Sequence, residues 1–103
     1  MPFTLGFRTA AELTTKFTGH RAEFGVKTES EYLARADAFL GGPRGPDTWQ
    51  CVRASNGDVL RYSEGTEEFG VLRGGYIVTY FTPDPSEHGM PSNLEYFRNA
   101  CRQ

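Results

Sequence analysis

The hydrophobic pattern changes period near residue 45. Before that point apolar positions recur at helical spacing, first Leu13 and Phe17, then Tyr32, Leu33, Ala36, Phe39 and Leu40. Each run is preceded by a start signal. "TAAE" at Thr9–Glu12 and "TESE" at Thr28–Glu31 fit a capping box, in which a Thr oxygen accepts from a helix N–H and a Glu three residues on reaches back. "SNLE" at Ser92–Glu95 repeats the signal before Leu94 and Phe97. The pattern predicts helices over about 9–19, 28–40 and 92–100.

"GGPRGPD" stops the second helix, because Gly and Pro cannot continue it. Four short segments follow, "TWQCVRA", "VLRYS", "EFGVLR" and "YIVTYFT", all rich in β-branched and aromatic residues. "SNGD", "EGTE" and "GG" separate them, and "PDPSEHGMPSN" leaves the sheet as a loop. Asn56-Gly57 and Gly74-Gly75 are two-residue hairpin signals. The fold expected is α+β, with N-terminal helices packed on one face of a four-stranded antiparallel meander and a short C-terminal helix. Residues 1–103 are the length of one domain.

Turn length fixes register. Two-residue turns would set Val52 opposite Arg61 and Gly70 opposite Thr79. A four-residue connection over Glu64–Glu67 would set Ser63 opposite Glu68 and Arg61 opposite Gly70. Alternation of side chains then gives two faces. Trp49, Cys51, Leu60, Tyr62, Phe69, Val71, Val78 and Tyr80 form the apolar one, expected to take the helices. Gln50, Val52, Arg61, Ser63, Glu68, Gly70 and Thr79 form the wet one. On it Arg61, Gly70 and Thr79 make a row, a guanidinium and a hydroxyl flanking a glycine hollow, which suits a phosphate. An Arg on a solvent face is also commonly just solvated.

Composition narrows the classes. Hydrophobic residues are 38% and aromatics 14%, the make-up of a folded domain rather than a disordered chain. No apolar run reaches membrane-spanning length, and the N-terminus shows no signal-peptide pattern. The formal net charge of -2 argues against a broadly nucleic-acid-coating surface but leaves room for a compact phosphate site. Cys51 and Cys101 are too few for a disulfide scaffold, and one bridge between them is possible. No Cys/His cluster has zinc spacing, and no cofactor motif is present.

"KFTGHRAEFG", "EFGV", "VTYFTPDP" and "PSNLEYF" together resemble the C-terminal nuclease toxin domains of bacterial polymorphic and contact-dependent-inhibition toxins. The group is the barnase–EndoU–colicin–RelE ribonuclease superfamily, and the likeness covers about Lys16 to Phe97. It implies a metal-independent ribonuclease acting on RNA, tRNA foremost. Such a domain would be secreted by a producer bacterium, act as a monomer in the target-cell cytoplasm, and be neutralised by a cognate immunity protein. Matched position by position, the family's His is His20, its strand Arg is Arg61 and its strand Thr is Thr79. Lys16 stands where the family often has a second His.

Metal-free RNA cleavage uses the 2′-OH as nucleophile, and a histidine can move its proton near neutrality. His20, Arg61 and Thr79 are therefore the candidate catalytic residues, and Lys16, Glu68 and Tyr96 the candidate substrate-binding ones. Each has a plainer reading. His20 can be a helix C-terminal residue favoured by the dipole. Lys16 can be a solvated face residue, Glu68 an ion-pair partner of Arg61, and Tyr96 a core anchor. His88 reads as a loop residue. Two other classes remain open: a non-catalytic RNA- or protein-binding module of the same fold, and a small interaction or immunity protein.

Overall fold

A computed structural model describes residues 2–103. Helices α1 (Ala10–Phe24) and α2 (Glu29–Gly41) precede strands β1 (Thr48–Val52), β2 (Val59–Ser63), β3 (Phe69–Arg73) and β4 (Tyr76–Phe81). Two further helices close the chain, α3 (Pro85–His88) and α4 (Asn93–Arg102). The strands form one antiparallel sheet in the order β1-β2-β3-β4, as the meander pattern requires. The fold is the α+β one expected.

All three predicted caps form. Thr28 and Glu31 make the full reciprocal box, while Thr9 and Ser92 each accept from the amide of the residue three on. α1 runs five residues past its expected end. Gly19 does not stop it; Gly25 does, in the left-handed conformation (φ 64°) with its amide on Arg21 O. α3 lies where a loop was expected, with Asp84 as N-cap and Pro85 at its first position.

Two of the predicted registers need correction. Between β1 and β2, Gln50 rather than Val52 faces Arg61. The connection is a four-residue loop, closed by Arg53 N donating to Asp58 O (2.8 Å) and Gly57 N to Arg53 O (2.7 Å). Asn56 Oδ1 accepts from the Asp58 amide and so turns the chain earlier than a two-residue turn would. The slip is two residues, so each side chain keeps its face.

Between β3 and β4 a bulge at Val71/Leu72 changes more. Leu72 faces Ile77, but Val71 faces Thr79 and Gly70 faces Tyr80. The extra residue on β4 moves Thr79 out of Gly70's row and Tyr80 into it. The expected Arg61–Gly70–Thr79 row is therefore Gln50–Arg61–Gly70–Tyr80. The β2–β3 register is as expected, with Arg61 opposite Gly70 and Ser63 N bonded to Glu68 O.

The bulge also decides which face takes the helices. With Ile77 and Tyr80 both on the Gly70 side, that face is apolar enough to carry α1 and α2. Tyr32, Ala36 and Leu40 pack there against Ile77 and Tyr80, joined by Phe17, Phe24 and Phe39. The face expected to be wet is thus a core face. The opposite face, Leu60, Tyr62, Phe69 and Val71, is covered by α4 through Phe97, Leu94 and Ala100. The sheet is sandwiched, and a disulfide from Cys51 on β1 to Cys101 on α4 fastens the second layer.

Candidate functional site

α1 lies along β4, the strand at one edge of the sheet. Successive turns of the helix meet successive residues of the strand. Lys16 lines a cleft with Tyr76, Ile77 and Val78. One turn on, the His20 ring stacks on Phe81 with centroids 5.3 Å apart. Glu23, one further step along, reaches Thr82. The helix must pass Gly19 unbroken for this to happen, which is why an end at residue 19 hides the arrangement.

Glu23 is the pivot. One carboxylate oxygen meets His20 Nδ1 at 2.6 Å. The other accepts from the Thr82 amide (2.7 Å) and the Thr82 hydroxyl (2.8 Å). A carboxylate fixed by two donors and facing Nδ1 favours, for a neutral imidazole, the tautomer with the proton on Nδ1 and the lone pair on Nε2. Phe81 fixes the ring plane from below. The imidazole is about a quarter exposed, so its outer edge meets solvent. The ring is oriented from two sides and is not a free surface histidine.

The second histidine is built differently. His88 Nε2 meets Asn93 Oδ1 at 2.9 Å and Nδ1 accepts from the Met90 amide at 3.1 Å. Both nitrogens are committed to holding the turn between α3 and α4. The His88 ring stacks on Tyr96 at 4.6 Å, and Tyr96 meets Phe81 and Phe69 edge-on. Tyr96 is thus part of the second core, and burial raises its hydroxyl pKa.

Charge separates the two sides of His20. On the Thr82 side a cavity of about 350 Å³ is walled by Glu23, Glu67, Asp84 and Glu87. On the Lys16 side the cleft, about 290 Å³, carries Arg8, Lys16 and Arg73 against one carboxylate, Glu12. Cations thus outnumber carboxylates in the lining on the Lys16 side, and carboxylates alone carry charge in the lining on the Thr82 side. Thr79 lies on β4 between Val78, in the cleft wall, and Phe81, under the imidazole.

Arg61 is elsewhere. Its Nη1 donates to Phe39 O (3.0 Å) and Gly42 O (2.6 Å), and its Nε to Gln50 Oε1 (2.6 Å). It satisfies the orphan carbonyls at the end of α2. Burial and the nearby Arg44 charge lower its pKa. Glu68 is also turned inward, bonded to the hydroxyls of Tyr80 and Thr66, with Arg35 at 3.8 Å. Burial and the Glu68 carboxylate push the Tyr80 hydroxyl pKa well up, and Arg35 only partly opposes them.

The structure therefore brings Lys16 and His20 to one border, sets Thr79 opposite Val71 on the strand beside them, and leaves Arg61, Glu68 and Tyr96 in the packing. Glu23, Thr82, Arg8 and Tyr76 are the residues sequence reasoning missed. Glu23 at i+3 from His20 was the available signal, had the helix been extended to Gly25.

Among the described residues no group of three or more His, Cys, Asp or Glu side chains is arranged to hold a metal ion, and no helix is long and apolar enough to cross a membrane. No protein-family model matches the chain, and no curated protein matches it.

Proposed function

We propose that the domain is an endoribonuclease that cuts RNA through its own 2′-hydroxyl, with His20 as the base. The observation that carries this reading is the Thr82–Glu23–His20 relay. It presents a fixed, partly exposed imidazole one helical turn from a cationic cleft.

In the reaction, His20 Nε2 takes the 2′-hydroxyl proton and O2′ attacks the neighbouring phosphorus. The bond from phosphorus to O5′ breaks, O5′ takes a proton from water, and the imidazolium neutralises the hydroxide left behind. The products are a 2′,3′-cyclic phosphate and a 5′-hydroxyl. Lys16, about one 5.4 Å helical turn from His20, supplies positive charge to the phosphate as it gains negative charge. The charge role expected of Arg61 passes to Lys16 in this scheme, because the Arg61 bonds run to the end of α2.

The sequence likeness to the nuclease toxin domains points the same way. It makes tRNA the first substrate to try, secretion from a producer cell the route, the target cytoplasm the place of action and an immunity protein the partner.

The test is incubation with total tRNA in EDTA, followed by gel analysis and end-group chemistry. Cleavage leaving cyclic phosphate ends is expected, with His20→Ala slower by about 10²–10⁴-fold. RNA left intact at high protein concentration, or cut equally by His20→Ala, sinks the reading. RNA retained on a filter without cleavage would replace it with a binding module. Induced expression in bacteria should arrest growth, and His20→Ala should relieve the arrest.

A further inference from the structure

The cleft beside His20 is not explained by catalysis alone. The chain carries a formal net charge of -2, yet three of its eleven Lys and Arg residues meet here against one acid. Their states differ. Arg73 is spent: its Nε and Nη2 bond both oxygens of Asp58, at 2.9 and 2.8 Å. Arg8 and Lys16 form no salt bridge among the described residues. Arg8 instead lies over the Tyr76 ring, with Cζ 4.5 Å from the centroid. A guanidinium held over a ring keeps its in-plane N–H donors available to an anion. At about 290 Å³ the cleft has the size of a nucleotide-sized group.

We propose that this cleft is a subsite for single-stranded nucleic acid, in which Arg8 binds the phosphate next to the scissile one, Lys16 stands between the two phosphates, and the Arg8–Tyr76 pair stacks its base. The proposal rests on the ribonuclease reading for its strand and shares Lys16 with it, but adds Arg8 and Tyr76, which that reading does not use. The combination of unpaired cations with an aromatic surface recognises an unstacked base and its phosphate together. Cations alone would take any polyanion. Glu12, on the cleft rim one turn before Lys16, opposes the same phosphate.

The sign of that last contact gives a sharp test. The probe is a fluorescein-labelled oligothymidylate, which lacks the 2′-hydroxyl and cannot be cut by this chemistry. Its binding is followed by anisotropy across a salt series. Arg8→Ala and Lys16→Ala should each weaken binding and reduce the slope of log Kd against log salt by about one. Tyr76→Leu should weaken binding with the slope unchanged, and Glu12→Gln should tighten it. Lys27→Ala, away from the cleft, is the control. Circular dichroism confirms that each variant is folded.

No binding by the wild type, or equal binding by the Arg8→Ala/Lys16→Ala double variant, overturns the proposal. Binding by Glu12→Gln no tighter than by the wild type overturns it as well. The two readings separate cleanly. RNA cleavage with an unchanged KM in Arg8→Ala removes the subsite and leaves the His20 relay. Cleft-dependent oligothymidylate binding without RNA cleavage keeps the subsite and removes the relay.

Discussion

Leu40 occupies the space that a side chain at Gly70 would fill. A Cβ built on Gly70 would lie 2.8 and 2.9 Å from the two Leu40 methyls and 3.0 Å from its Cγ. Both residues are buried, Leu40 being 1% exposed. The glycine is there so that α2 can approach the sheet, and the hollow it leaves is filled by apolar packing rather than open to a ligand.

Gly70→Ala should therefore destabilise the fold by about 1–3 kcal/mol through overpacking. A urea titration followed by far-UV circular dichroism measures it. Adding Leu40→Ala to Gly70→Ala should recover part of the loss by making room, giving a clear coupling in a double-mutant cycle. Independent effects would mean that the two residues do not share the space.

The same pair shows what could be read from the chain and what could not. Periodicity and caps are local, so the helices, the four strands and their order follow from "TESE", "SNLE" and the β-branched runs. The pairing of Arg61 with Gly70 follows from the four-residue turn. The bulge does not, because Val78-Thr79 carries no glycine or proline to mark it, and its effect is non-local. It turns Tyr80 toward α2 and so converts the expected wet face into core. The candidate site suffered likewise. His20 and Lys16 were visible as residue types at i, i+4, but the Glu23–Thr82 contact joins residues 59 apart in sequence and needed the helix to run past Gly19.

Arg61 gives the second prediction. Its three bonds go to two carbonyls at the end of α2 and to Gln50. Arg61→Ala leaves these acceptors without a charged donor and should cost about 2–3 kcal/mol in a urea titration. Arg61→Lys should recover only part of this, since an ammonium cannot span the acceptors as a planar fork does. RNA cleavage per folded molecule should stay unchanged in both variants. A specific loss of kcat would return Arg61 to the catalytic group.

Acid sensitivity should trace largely to Asp58, which is 1% exposed. Its bonds to Arg73, with Arg73 and Arg53 charge, outweigh the desolvation cost and lower its pKa. Its folded pKa is below the unfolded value of about 3.9. The stabilisation is thus present above pH ~4 and is lost as pH falls through the folded pKa. Asp58→Asn should cost about 2–3 kcal/mol near neutrality, less than a fully buried pair because Arg73 is exposed. Asp37 is also shifted down, the Phe3 and Thr4 donors outweighing its burial, so wild type and Asp58→Asn must be compared across pH. The gap between them should close below pH ~4. A gap constant down to pH 2 would contradict the assignment.

The last prediction concerns the second layer. The Cys51–Cys101 bridge spans 50 residues of sequence and joins β1 to α4. Closing a loop of that length removes unfolded-state entropy worth roughly 4 kcal/mol in the chain-entropy account. α4 brings Phe97 and Tyr96 onto Tyr62 and Phe69, and Tyr96 in turn supports the Phe81 ring under His20. Reduction, or Cys51→Ser with Cys101→Ser, should lower Tm. It should also raise hydrogen exchange first in α4 and at the end of β4, before α1 and α2, whose core does not depend on the bridge. Cleavage should then become more temperature-sensitive, because the ring that carries His20 loses its backing. Uniform exchange across both layers would show that the sandwich unfolds as one unit and that the bridge stabilises it only globally.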